Sequence, residues 1–331
     1  MMTLFPTFEK KLIDVIHPHD TMVVGVSGGV DSMALLHLLV RLAKKKSLKI
    51  LVAHVNYKKR GQASDDDERF VIKISQAWGC SVFTEHWKEA EEKQNFQDAA
   101  RDFRRFFFFR LAKEHQARSV VLGHHLQDQA ETMLMHLMRG CGLTGMCGMS
   151  WKEMVQKIFL LRPLLDISRA EIMAYAESEK IPFREDESNH DISYKRNWVR
   201  HELLPMMEKY HPRVSSSLAQ MSGYLAEDEE ALLLLARECL REVTFEMSAE
   251  NCVLSRALLS QYPTALRKRL LVLAYQQLTA GTLHVNADQL KKMDALVQCE
   301  EGEVLHYFLS DGWKFWRYRD RVVLGKEAAE V

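Results

Sequence analysis

Cysteine is scarce in this sequence, and what there is stands unpaired. Six thiols in 331 residues (Cys80, Cys141, Cys147, Cys239, Cys252 and Cys299) include no Cys-x-x-Cys pair and no spacing that suits zinc. That argues against a disulfide-framed secreted module and predicts reduced thiols in a cytoplasmic protein. An excess of charge is missing too, since 45 Lys and Arg balance 45 Asp and Glu. Net charge therefore speaks neither for nor against a nucleic-acid partner, and any basic site must be local. No run approaches the roughly 18 apolar residues of a membrane span. The opening stretch, MMTLFPTFEKKLIDVI, lacks the basic flank and apolar core of a secretion signal. A soluble protein without a membrane partner is expected. There is no internal repeat, and the one biased run, Phe106 to Phe109, faces all round a helix and predicts burial.

What is present is a core and an alternation. With 47% hydrophobic residues over 331 positions, the chain can bury two domains, or one large and one small. Through the first half, short apolar runs alternate with helical patterns. The runs are Met22–Val26, Lys49–Val55, Cys80–Trp87, Ser119–His125 and Lys157–Pro163. The helices are expected near 32–41, 64–78, 96–115, 126–139 and 168–180. That order predicts an α/β fold, a mostly parallel, doubly wound sheet with helices on both faces. After Pro182 the chain turns polar and irregular, with a helix near 199–210. A long helix over about 216–240 follows. Helices and a terminal strand pair around the Asp311-Gly312 turn signal then predict a second, smaller α/β domain. The expected boundaries are a large domain at 1–213, a helical linker at 214–242 and a small domain at 243–331.

The stretch VVGVSGGVDS, Val23 to Ser32, runs from a strand through a glycine-rich turn into a helix. Backbone N–H groups at a helix start suit phosphate. Ser27, Gly28 and Gly29 let the backbone approach an anion closely, and Ser32 adds a hydroxyl. Where a triphosphate loop would end in lysine, this one has Val30 and Asp31. An acid in an anion site requires a bridging cation, and magnesium, held by one carboxylate and phosphate oxygens, is the natural one. A tight strand–helix turn with an acidic first residue is the plain structural alternative. In GHHLQDQAETMLMHLMRG, Asp128 and Glu131 are three apart and share a helix face, while Leu126, Ala130, Met133, Leu134 and Leu137 form an apolar stripe. These carboxylates could bind magnesium or hold a substrate amine; a solvated acidic first turn is the alternative. Of His124 and His125, one is expected to be buried and the other to face a ligand.

SGGVDS after a buried strand resembles the loop of the N-type ATP pyrophosphatases, which split ATP between its α and β phosphates. Taken with AHVNY…RGQASDDDERF, ARDFRRFFF, LGHHLQDQAETMLMHLMRGCGLTGMCGM, RPLLDISRAEIMAYA and EDESNHDISYKRNWVRHELLP, the pattern resembles the tRNA(Ile)-lysidine synthase family over roughly Met22 to Pro212. The resemblance implies a reaction in two steps. ATP adenylates the wobble cytidine of the isoleucine tRNA with a CAU anticodon, and free L-lysine then displaces AMP. It implies that Ser27, Gly28, Gly29, Val30, Asp31 and Ser32 bind ATP, with His54, Arg104, Gly123 and His124 lining the same cleft. Asp31 would hold magnesium, Asp128 and Glu131 would receive lysine, and Lys195, Arg196 and Arg200 would bind tRNA. A homodimer stands open as a further expectation.

The sequence departs from the family pattern at Gln127, usually an aspartate, and at Tyr57, Lys58 and Lys59, usually His-Gly-Leu. Arg105 replaces a common tyrosine, and Trp198 the middle arginine of an Arg-Asn-Arg block. Other basic groups (Lys44 to Lys46, Lys58 to Arg60, Arg101/Arg104/Arg105) read more readily as solvated faces. Near the terminus Trp313, Phe315, Trp316 and Tyr318 interleave with Lys314, Arg317 and Arg319, which predicts one aromatic and one basic face. The chain ends at Val331, short of the further domain of longer members, so tRNA selection is expected to rest on what remains. The rival readings are a tRNA thiolase, an amide-forming synthetase of the same superfamily, and a nucleotide-binding regulatory module without catalysis.

Overall fold

The computed structural model describes residues 4–58, 61–87, 96–184, 194–281, 283–299 and 305–326. They fall into two compact units, Met1–Ala226 and Glu227–Val331. Lys59, Arg60 and the whole stretch 185–193, with its EDESNHDI run, lie outside the described residues.

The first unit runs α1 (Leu4–Leu12), β1 (Thr21–Gly25), α2 (Val30–Lys46), β2 (Lys49–Asn56), α3 (Gln62–Ala77), β3 (Ser81–His86), α4 (Phe96–Glu114), β4 (Ser119–Val121), α5 (Leu126–Arg139), α6 (Leu143–Met146), β5 (Lys152–Val155), β6 (Ile158–Leu161) and α7 (Arg169–Ser178). Then come α8 (Lys195–Trp198), a π-helical turn at Val199–Leu203, α9 (Leu204–Tyr210) and α10 (Val214–Val243), within which the division between units falls.

Side chains alternate across a strand, and here both faces are apolar, as a covered parallel sheet requires. Met22 and Val24 of β1, with Ile50 and Val52 of β2, pack on the face covered by α1, α2 and α7. Val23, Leu51, Ala53 and Val55 point the other way, onto Phe107, Phe108, Leu111 and Ala112 of α4. The sheet order is β3-β2-β1-β4-β6-β5. All neighbours are parallel except β5, which forms an antiparallel hairpin with β6 that the sequence pattern did not suggest. The doubly wound α/β fold is thus present. The chain order reverses between β1 and β4, and that reversal opens a crevice at their carboxyl ends. Two expectations need correction. Phe107, Phe108 and Phe109 are buried but Phe106 is 65% exposed, because one side of α4 faces solvent. Leu137 is 59% exposed, so the apolar stripe of α5 ends a turn earlier, at Met133 and Leu134.

In the second unit β7 (Thr244–Met247), β8 (Asn251–Ser255), α11 (Arg256–Gln261), α12 (Thr264–Leu278), α13 (Ala287–Gln298), β9 (Leu305–Phe308), β10 (Lys314–Arg317) and β11 (Arg321–Gly325) build an antiparallel sheet of order β7-β8-β11-β10-β9. Asp311 turns the chain between β9 and β10 at φ 54°. Phe315 packs with Leu270, Tyr275 and Val297 beneath the helices, while Trp316 packs with Val253 and Val323 on the opposite face. The predicted split into an aromatic and a basic face therefore fails. Both rings are buried, and Arg317 is buried with them, donating to the Cys299 carbonyl at 2.8 Å.

Candidate active site

The crevice between β1 and β4 gathers two loops. After β1 the glycine-rich turn feeds α2; after β4 the Leu122–His125 segment feeds α5. Gly28 sits at φ +97°, where a side chain would be strained, and a Cβ there would lie 3.3 Å from Val71. A Cβ on Gly123 would lie 3.2 Å from the Asp31 carbonyl, so that glycine allows the two loops to touch. The Ser32 hydroxyl sits where the turn's amides converge. It accepts from the Ser27 and Gly28 N–H groups, each at 3.2 Å, and donates to the Gly29 carbonyl at 2.9 Å. Converging N–H groups at the start of a 17-residue helix form an anion cradle.

Asp31 stands in the first turn of α2. Burial raises its carboxyl above the usual range, against the pull of His125 and Arg169. Its Oδ1 is buried with no hydrogen-bond partner among the described residues, while Oδ2 lies 3.8 Å from His125 Nε2. A hard cation binds oxygen, and magnesium takes one or two carboxylates together with phosphate oxygens. An orphaned carboxylate oxygen beside an anion cradle fits that ion.

His125 joins this acid to the next pair. It is buried, and its Nε2 lies 3.5 Å from Asp128 Oδ2. Its backbone N–H donates to the same oxygen at 3.0 Å, capping α5. Asp128 and Glu131 are both buried, Glu131 at 0% exposure, so the solvated acidic turn is excluded. Two arginines hold them. Arg200 Nε donates to Glu131 Oε1 at 2.6 Å and its Nη2 to Asp128 Oδ1 at 2.8 Å. Arg196 Nε donates to Glu131 Oε2 at 2.9 Å and its Nη2 to Asp128 Oδ1 at 3.2 Å. Although burial opposes it, His125, Arg196 and Arg200 beside it hold the Asp128 carboxyl far below its ordinary range. Removing one partner from a buried pair of this kind costs about 3–5 kcal/mol, because a charge is left uncompensated.

His124 is the other half of the histidine pair. Its imidazole is pushed down to about 3, mainly by burial, with Arg162, Arg196 and Arg104 adding to the effect against Asp128. It is neutral, with its Nδ1 unpartnered among the described residues, in surroundings that favour an anion. His54 is buried at the end of β2 and donates from Nδ1 to the Val26 carbonyl at 2.8 Å, bracing the glycine turn. Burial lowers its pKa as well. Arg104 lies exposed on α4, and Lys195 lies exposed at the start of α8.

Sequence reasoning treated Arg196 and Arg200 as nucleic-acid contacts and did not pair them with the acids. Spacing shows only that Arg196 and Arg200, four apart, share a helix face; it does not say which face they meet. It also missed Gln129, a buried amide whose Nε2 donates to the Met149 carbonyl at 3.0 Å and whose Oε1 accepts from Met149 N–H at 2.8 Å. The same amide reaches Ser222, so it ties α5 to the 147–149 segment and to α10. None of the six cysteines forms a disulfide, and burial pushes the Cys80 thiol up to about 11 and the Cys252 thiol up to about 12.

A family model described as the PP-loop domain matches residues 4–207, and the chain belongs to that family. Among curated relatives it is 38% identical over 291 residues to the tRNA(Ile)-lysidine synthase of Geobacter sulfurreducens, covering 86% of this chain and 61% of that protein. It is 35% identical over 276 residues to the enzyme of the same name from Geobacillus kaustophilus, covering 80% of this chain and 59% of that one. The chain thus spans about three-fifths of the length of these relatives. Among solved structures, the U34-tRNA thiolase NcsA of Methanococcus maripaludis, with its 4Fe–4S cluster, superimposes at a TM-score of 0.58 and 20% identity. The match covers 67% of this chain and 78% of that one, and it shows the shared fold.

Proposed function

We propose that this chain ligates lysine to the wobble cytidine of the isoleucine tRNA with a CAU anticodon, consuming ATP and releasing AMP and pyrophosphate. The observation that carries the reading is the adjacency of two sites of opposite preference. An anion cradle with a cation-seeking carboxylate at Asp31 is joined through His125 to a buried acid pair at Asp128 and Glu131. The names of the relatives agree with it.

In this reading the triphosphate lies in the Ser27–Ser32 turn, whose N–H groups take the departing pyrophosphate. Asp31 holds magnesium, which when bound supplies the charge that screens the phosphates. The cytidine carbonyl oxygen attacks the α phosphorus and pyrophosphate leaves. The lysine side-chain amine, desolvated beside Asp128 and Glu131, then attacks the ring carbon bearing that oxygen. A proton leaves the amine, and AMP departs with the oxygen. Neutral His124, with Arg104 nearby, lines the nucleotide side, and Arg196, Arg200 and Lys195 supply the positive charge that a tRNA backbone requires. The small unit, in the same reading, binds or braces the tRNA, and a homodimer is compatible with it.

Pyrophosphate release in the presence of ATP, magnesium and unmodified isoleucine tRNA tests this reading. Asp31→Ala should lower release at least a hundredfold at any lysine concentration. Glu131→Ala should chiefly raise the lysine concentration needed for transfer. An equal lysine dependence in both variants would overturn the assignment of roles.

A further inference from the structure

The acid pair that should receive lysine is already full. Three of its four carboxylate oxygens accept from Arg196 and Arg200, and the fourth accepts from the His125 amide. A lysine ammonium and two guanidiniums therefore compete for the same oxygens. Glu131 is wholly buried and cannot be left without a cation, so the arginines can leave only as another cation arrives. They also need a second anion to go to. Both sit on the α8–π-turn segment with side chains 29% and 28% exposed, close enough to solvent to reach a ligand. A guanidinium fork matches a phosphate as well as it matches a carboxylate. Beside them Lys195 makes no ion pair among the described residues and stands exposed, a ready first contact for a polyanion.

We propose that Arg196 and Arg200 exchange between two anions: the Asp128–Glu131 pair in the free protein, and backbone phosphates of the tRNA in the complex. Lysine then gains its site as tRNA draws the arginines away. The proposal rests on the lysine-ligating reading above and adds an order to it. Linkage requires the effect to be mutual, so lysine strengthens tRNA binding by the same factor that tRNA strengthens lysine binding.

The test is equilibrium dialysis of radiolabelled lysine against the full chain, with and without isoleucine tRNA transcript, at fixed salt and without ATP, so that no turnover occurs. Lysine should bind about tenfold or more tightly when tRNA is present, within the usual range of such couplings. Arg200→Gln should bind lysine more tightly than wild type in the absence of tRNA, and tRNA should then add little. Thermal melting checks that the variant is folded; if it is not, the wild-type dialysis decides alone. Equal lysine affinity with and without tRNA overturns the exchange. So does weaker lysine binding in folded Arg200→Gln, which would mean that the arginine grips the lysine carboxylate. A parallel assay with ATP separates the two ideas. Lysine transfer together with tRNA-independent affinity sinks only the exchange, whereas absence of lysine transfer sinks the functional reading and the exchange with it.

Discussion

Half-buried Asp31 and buried Asp128 are carboxylates whose pKa values move in opposite directions, and the difference lies in their neighbours. Asp31 has a distant histidine and an orphaned oxygen, so burial dominates and raises it. Asp128 has two arginines and His125 beside it, which overcome burial and lower it. Linkage turns each direction into a stability statement. The raised group favours the folded state most below the unfolded carboxylate pKa, and that contribution is lost as pH rises through its folded value. The lowered group contributes stability that is full above 3.8 and is lost as pH falls below it. Asp31→Asn should therefore melt at or above the wild-type temperature at pH 7 while losing magnesium-dependent ATP binding. A lower melting temperature at neutral pH would contradict the account of that carboxylate. Asp128→Asn should melt lower at pH 7, and the gap should begin to narrow only as pH falls below 3.8.

At the scale of elements, the glycine turn and the acid pair were legible because they depend on short-range rules. A glycine turn between strand and helix, and two acids three apart at a helix start, can be read along the chain, and α5 spans the Leu126–Arg139 stretch that its pattern predicts. The β5–β6 hairpin was not legible, because KEMV carries two charges at the edge of the sheet and lacks a strand's apolar run. Burial all round the Phe106–Phe109 run failed for a similar reason, since composition does not say which side of α4 meets the sheet. The partnership of Arg196 and Arg200 with Asp128 and Glu131 spans 65 to 72 residues, and separation of that kind cannot be read from local pattern. Gln129 shows the same limit. Gln129→Leu would strand the Met149 amide and the Met149 carbonyl that the side chain now satisfies. Each group left unpaired costs about 1–3 kcal/mol, so denaturant unfolding should show a loss of at least that size. A change below 0.5 kcal/mol, the range of ordinary surface substitutions, would mean that the amide does not tie α5 to its neighbours.

For the molecule as a whole, a parallel sheet supplies the crevice and a separate antiparallel unit has its own core around Phe315, Leu270 and Tyr275. No described helix is long and apolar enough to cross a membrane. The central claim is that an anhydride-splitting cradle and an amine-receiving acid pair act in sequence on one nucleotide. Incorporation of radiolabelled lysine into total tRNA by the purified chain, with ATP and magnesium, tests it most directly. The account predicts label in an isoleucine tRNA, dependent on ATP and abolished by Asp31→Ala. No label in any tRNA, or sulfur entering from a sulfur donor in place of lysine, would contradict it.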